Sequence, residues 1–147
     1  MESIEKKEDI MDSCIFCKIV DGKIPSTTIF EDENVKVILD IAPASKGHAI
    51  LLVKQHVANI FELDAEVAGK IFSVVPKVAK ALKEELGCEG MNILQNNGVV
   101  AGQTVFHLHI HFIPRWKNDS IQIKWTPGSY ADGEAELFAN AVKERLL

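Results

Sequence analysis

The strongest periodic signal in the chain alternates large apolar residues with histidines: Leu108, Ile110 and Phe112 are interleaved with His107, His109 and His111. A strand sends successive side chains to opposite faces, so this pattern buries three apolar residues on one side and lines up three imidazoles on the other. Two shorter apolar runs, Thr27 to Phe30 and Val35 to Leu39, predict a hairpin turning over Asp32-Glu33-Asn34. His48 to Val53 is almost wholly apolar, as in a central strand covered on both faces, and Met91 to Gln95 predicts another strand ending at Asn96-Asn97-Gly98. From Asp64 to Leu86 the period becomes helical, with Val67, Ile71, Val74, Val75, Val78 and Leu82 on one side. Pro76 predicts a kink there or a displaced helix start, and Gly87 a stop. Cys14 to Val20 predicts a short helix with Ile15, Phe16 and Ile19 facing inward. Asp132 to Leu147 predicts a C-terminal helix with Leu137, Phe138, Ala141, Val142 and Leu146 on one side, and Ile121-Gln122-Ile123 a further short strand. This order implies an α+β protein: an antiparallel β-sheet of about five strands, one long helix packed on it, and short terminal helices.

Composition adds boundaries. Residues 1–11 are mostly charged and lack an apolar period, so they are expected to form a disordered N-terminal arm ahead of a single domain over residues 12–147. A chain of 147 residues with 47% hydrophobic content can build one core without staples. The net charge of −5, with Lys and Arg dispersed, argues against a nucleic-acid partner; a small anion is still compatible, because a pocket's local field can oppose the net charge. No apolar run reaches membrane-spanning length and the first nine residues are too charged for a secretory signal, so a cytoplasmic protein with no membrane partner is expected. Three cysteines, two of them in Cys14-x-x-Cys17, suit a reducing compartment better than a disulfide framework.

Two kinds of chemistry use three histidines on one strand face. One is a catalytic zinc held by three imidazoles with an open water position; the other is a metal-free site in which one imidazole is a nucleophile and its neighbours orient it. Spacing does not choose between them. The flanking residues favour the second: Gly102 lets a backbone approach a ligand, Gln103, Thr104, Asn96 and Asn97 supply neutral donors suited to a phosphate, and residues 90–118 contain no Glu to serve as base for a zinc-bound water. A nucleophilic imidazole must be neutral, with one nitrogen bare and the other N–H held by an acceptor, for which a neighbouring backbone carbonyl is expected.

The segment Gly102 to Arg115, with His107-Leu108-His109-Ile110-His111-Phe112-Ile113 at its centre, resembles the signature of the histidine triad superfamily. Cys14-Ile15-Phe16-Cys17-Lys18-Ile19, Ile24-Pro25, Asp40-Ile41 and Lys46-Gly47-His48 stand in the same order as in its Hint-like branch, and the likeness covers residues 14 to about 127. The resemblance implies a homodimer that cleaves purine nucleoside 5′-phosphoramidates at the α-phosphorus through a nucleotidyl-histidine intermediate. Under it, His109 is the nucleophile, His111 lies at the phosphate oxygens, and His107 and His48 complete the catalytic set. Gln103 and Thr104 would contact the leaving group or phosphate, Asn96 the phosphate beside Gly102, and Asp40 the ribose hydroxyls. Ile15, Phe16, Ile19, Ile38 and Ile41 would form the slot for the base; read from the residues alone, each of these five is an ordinary core residue.

The Cys14/Cys17 pair has zinc-ligand spacing but no second pair at finger spacing, and redox use is the rival reading. Family members with this pair can hold a structural zinc through it, a histidine after the third strand and the first triad histidine, here His56 and His107. No catalytic metal is expected. Thr104 in place of a common Ser, and Ala101-Gly102 in place of Gly-Gly, resemble the dinucleoside polyphosphate hydrolase branch instead. Cleavage of dinucleoside polyphosphates, and a non-catalytic nucleotide-binding or scaffold role, are therefore the alternatives.

Overall fold

The structure is a computed structural model that describes residues 13–147. The expected N-terminal arm over 1–11 lies outside the described residues. Helix α1 (Ile15–Val20) is followed by strands β1 (Thr28–Glu31), β2 (Val35–Leu39) and β3 (Ala49–Val53), the long helix α2 (Ala65–Leu86), strands β4 (Gly90–Leu94) and β5 (His109–Arg115), and helix α3 (Glu134–Arg145). The five strands form one antiparallel sheet in the order β1-β2-β3-β5-β4, so β5 is inserted between β3 and β4.

Each element ends where local chemistry ends it. Asp32 Oδ1 accepts from the N–H groups of Asn34 and Val35 at 2.7 and 2.9 Å and closes the β1–β2 turn. Asp64 caps α2 by accepting from Glu66 and Val67 N–H, and Gly87, left-handed at φ 61°, closes the other end with its N–H on Lys83 O. The helix runs unbroken through Pro76, which lies on its exposed side, so neither a break nor a displaced start is seen.

The sheet is covered on both faces, which accounts for the uninterrupted apolar run of β3. On one face α2 lays Ile71, Val74, Val78 and Leu82 against Val37, Leu51, Leu108, Ile110 and Phe112, a burial that stabilises by about 2 kcal/mol per large side chain. On the other face α1 contributes Phe16 and Ile19, packed on Ile38, Ile50 and Leu52. The register Leu52↔His109 and Ile50↔His111 puts the histidines on this second face. The sheet hydrogen bonding of β5 begins only at His109; His107 precedes the strand, yet its ring lies on the same side, edge-on to Phe16.

Two expectations are corrected. No strand forms at Ile121–Ile123, because its backbone is already engaged: Arg115 Nη2 donates to Ile121 O, and Ile121 N–H donates to Asp119 Oδ1. The Arg115–Asp119 pair is bidentate, with both contacts at 2.8 Å, and this holds the Asp119 carboxyl well below the usual carboxylate range. Ile15, expected inward, is 47% exposed, one residue ahead of buried Phe16. The amphipathic C-terminal helix forms, but Leu137, Phe138, Val142 and Leu146 are all exposed.

The Gly47 backbone, at φ +83°, steers the β2–β3 connection toward His48, and a Cβ there would collide with the Leu86 side chain at the end of α2. Gly47→Ala should therefore cost about 1–2 kcal/mol, read as a lower urea midpoint at unchanged slope.

Candidate active site

The histidine face is assembled by hydrogen bonds that fix the tautomer of each imidazole. His107 Nε2 lies 2.6 Å from Val53 O, and a carbonyl can only accept, so the proton is on Nε2 and Nδ1 is bare. His109 Nδ1 lies 2.6 Å from His107 O, so its proton is on Nδ1 and the bare nitrogen is Nε2. Ala44 N–H donates to His48 Nδ1 at 2.9 Å, leaving the His48 proton on Nε2, which faces His111 Nδ1 at 2.9 Å. His111 therefore accepts at Nδ1 and carries its own proton on Nε2. One chain of donors runs from the Ala44 amide through His48 to His111, and it ends in an N–H.

Charge on any of these rings is disfavoured. Burial lowers the pKa of His48 and of His109, opposed in both by the nearby Asp40 carboxylate and in His109 also by its bond to His107 O. Burial, reinforced by His109 and His48, pushes His111 down to about 4. The geometry agrees, because a protonated His48 would have to give up its bond from Ala44. Asp40 Oδ2 stands 3.6 Å from His48 Nε2, while its Oδ1 accepts from Ala42 N–H at 2.8 Å.

His109, His111, Asp40 and Thr104 share a cavity of about 240 Å³ with Ile15, Phe16, Ile19, Ile38 and Ile41. Ile24, Pro25, Ser26, Leu39, Ile50 and Val105 also line it, so its wall is mostly apolar. Sequence reasoning named the Ile24-Pro25 pair without a role and did not single out Val105, Leu39 or Ile50; their sole signal was position next to Thr104, Asp40 and Ala49. Ile41 stands 99% exposed at the rim. The Phe16 ring meets His109 edge-on with centroids 4.9 Å apart, filling the space beside the imidazole.

Three further residues expected at the substrate have the following contacts. Gln103 is buried, and its amide is spent on the loop: Oε1 accepts from Gly98 N–H, and Nε2 donates to Ala58 O and Val105 O at 2.7 and 3.1 Å. Gly102, at φ +95°, is left-handed, and a Cβ on it would come within 3.4 Å of Asn96 Nδ2. Asn96 thus abuts the glycine and is not among the residues lining the cavity.

A second cluster includes His107. Cys14, Cys17, His56 and His107 converge: Cys17 Sγ is 3.1 Å from His56 Nδ1, both sulfurs are 3.4 Å from His107 Nδ1, and the two Nδ1 atoms are 3.1 Å apart. Without a cation, burial first and then the Cys14 side chain push the Cys17 thiol up to about 12, and burial pushes His107 down to about 4. A tetrahedral zinc, with bonds of about 2.3 Å to sulfur and 2.0 Å to nitrogen, places its donors roughly 3.3–3.8 Å apart. The cluster fits that size, and the bare Nδ1 of His107 already points into it. The triad histidines do not converge on a common point, since His107 Nδ1 faces the cysteines while His109 Nδ1 faces a carbonyl.

Residues 21–118 match the HIT domain model. The chain is 48% identical to the adenosine 5′-monophosphoramidase hnt1 of Schizosaccharomyces pombe over 70% of its own length and 74% of that protein's. A crystallised HIT-family member from Bacillus subtilis superposes with a TM-score of 0.88 at 40% identity, covering 92% of this chain and 98% of the other. A zinc-bound histidine triad family protein from Mycobacterium smegmatis superposes with a TM-score of 0.72 at 35% identity, covering 91% and 96%.

The tautomer assignment is open to measurement. Long-range ¹H–¹⁵N correlation spectra at neutral pH should show His109 in the Nδ1–H form and His48 and His111 in the Nε2–H form; an Nε2–H signal for His109 would contradict it.

Proposed function

Because the chain belongs to the HIT domain family, we propose that it hydrolyses purine nucleoside 5′-phosphoramidates of the adenosine 5′-monophosphoramidate type through a nucleotidyl-His109 intermediate. The observation that carries this reading is the 2.6 Å bond from His109 Nδ1 to His107 O, which leaves Nε2 bare in the shared cavity. The base would lie against Phe16, Ile19 and Ile38, which line the cavity, and Asp40, one carboxylate for two adjacent hydroxyls, would meet the ribose.

His109 Nε2 forms a bond to the α-phosphorus as the phosphorus–nitrogen bond of the substrate breaks and its electron pair leaves with the amine. Charge gathers on the nonbridging oxygens, where the His111 Nε2–H and the Thr104 hydroxyl are the donors. A neutral His111 cannot supply the proton the amine needs without becoming an imidazolate, and His48 cannot replace that proton for the same reason. The amine therefore takes its proton from the solvent-facing side. Water then attacks phosphorus and gives up one proton to the solvent, the His109–phosphorus bond breaks, and nucleoside monophosphate and a neutral His109 are released. Gln103 serves by holding the Gly98–Val105 loop, and thus Thr104, in place.

The Cys14, Cys17, His56 and His107 side chains are proposed to hold a structural zinc, a role supported by their spacing and by the bare His107 Nδ1. When bound, the ion supplies a cross-link, and the His107 Nε2–H bond to Val53 O orients that ligand from behind. Dimerisation, expected from the family resemblance, belongs to the same proposal.

Replacing His109 by Ala should lower turnover of adenosine 5′-phosphoramidate by about 10³-fold or more while leaving nucleotide affinity within a few-fold. Brief mixing of the unaltered protein with substrate should yield an adenylylated peptide containing residues 107–111 by mass spectrometry; full activity in His109→Ala would overturn the mechanism. Metal analysis should find about one zinc per chain, with Cys17→Ser lowering both that content and the melting temperature.

A further inference from the structure

The Ala44 amide sets the tautomer of His48 and, through it, that of His111; it stands in the connection of residues 40–48 between β2 and β3. Ile41, Ala42, Pro43 and Ala44 are all exposed, so packing holds this stretch only weakly. Its position is set by hydrogen bonds instead. At the β2 end Asp40 Oδ1 accepts from Ala42 N–H at 2.8 Å. Toward the β3 end Ser45 Oγ donates to Pro114 O of β5 at 2.7 Å, a link across 69 residues.

Successive carbonyls of a strand point to opposite neighbours. Arg115 O accepts from Glu89 N–H on the β4 side, so Pro114 O is turned toward the β3 side. No strand partner reaches it there, because the pairing of β3 with β5 starts at Ala49 opposite Phe112. Pro114 is under 2% exposed, and a buried carbonyl left without a donor is costly. Proline brings no N–H to that side, so the Ser45 hydroxyl satisfies all the backbone polarity that Pro114 presents.

Ser45 is also joined to His48. Its carbonyl accepts from His48 N–H at 3.0 Å, and Ala44, its immediate neighbour, donates to His48 Nδ1 at 2.9 Å. One hydroxyl therefore ties both the peptide that carries His48 and the amide that decides its tautomer to the strand that carries His109 and His111. With the Ala44 amide released, the His48 proton is free to occupy either nitrogen. On Nδ1, it would leave two lone pairs facing each other at 2.9 Å, those of His48 Nε2 and His111 Nδ1. His111 relieves that clash by moving its own proton to Nδ1, and its Nε2–H is lost.

We propose that Ser45 is a positioning residue for the reaction at phosphorus: by anchoring the 40–48 connection to Pro114, it holds His48 and His111 in the tautomers that keep the His111 Nε2–H as a donor. The proposal rests on the function assigned above and adds to it a residue that does not line the nucleotide cavity.

The test compares the full-length protein with Ser45→Ala and with Ser45→Thr, which keeps the hydroxyl. Long-range ¹H–¹⁵N spectra of folded Ser45→Ala should show the ring nitrogens of His48 and His111 moving toward the average of two tautomers, while those of His109, whose proton is held by His107 O, stay in place. A general loss of stability moves all three rings or none. For adenosine 5′-phosphoramidate, Ser45→Ala should lower kcat about tenfold or more with KM within about threefold, and Ser45→Thr should keep kcat within about threefold of the unaltered protein. Despite its exposed setting, the Ala44 amide of the unaltered protein should exchange with deuterium at least about tenfold more slowly than that of Ser45→Ala. Unshifted His48 and His111 signals in Ser45→Ala, equal disturbance in Ser45→Ala and Ser45→Thr, or an Ala44 amide that exchanges at the free-peptide rate in the unaltered protein overturns the proposal. If the unaltered protein does not turn over the phosphoramidate, the hydrolase reading fails, while the spectra and the exchange rates still decide whether Ser45 sets the two tautomers.

Discussion

The arrangement of the histidine face depends on one short hydrogen bond, from His109 Nδ1 to the carbonyl oxygen of His107. It decides which nitrogen of His109 carries the proton and hence which lone pair is available. That carbonyl is itself held from several sides. The His107 ring is tied through Nε2 to Val53 O, its Nδ1 lies within 3.4 Å of both Cys14 and Cys17, and the next residue, Leu108, donates to Val57 O at 2.8 Å. The proposed zinc ligands and the proposed nucleophile therefore share one residue, through its side chain and its backbone respectively. The preorganisation of His109 is a property of the peptide at His107 more than of any side chain that touches His109.

Burial and hydrogen bonding act in the same direction across the remaining histidines. The neutral state of His48 and His111 follows from low solvent access and, independently, from a donor chain that has no place for an extra proton. Such a site offers hydrogen bonds and no acid, which suits a reaction at phosphorus whose departing group has access to water.

The period-two pattern from His107 to Phe112 and the helical period from Val67 to Leu82 made both faces of the sheet legible in the sequence. Apolar spacing of that kind is a direct consequence of burial. The strand order was less accessible, since nothing local says that β5 enters between β3 and β4. Gln103 and Asn96 were legible as polar loop residues but not as what they touch, because a carboxamide serves a phosphate or a backbone carbonyl equally well. Ile121 to Ile123 looked like a strand by composition, and the Arg115–Asp119 clasp took its backbone partners instead. The Ala44 amide and the Val53 carbonyl, which set two of the tautomers, carry no residue-type signal at all.

The insertion of β5 also has a consequence for how the protein comes to be active. Its pairing with β3 joins Leu52 to His109, and the cysteine cluster joins Cys14 to His107, across 93 residues. Contacts so distant along the chain carry a large loop-closure cost and form late in folding. A partly folded chain can hold the β1–β2–β3 meander and α2 and still leave His109 unaligned. Alignment of the histidine row in this fold therefore coincides with completion of the sheet.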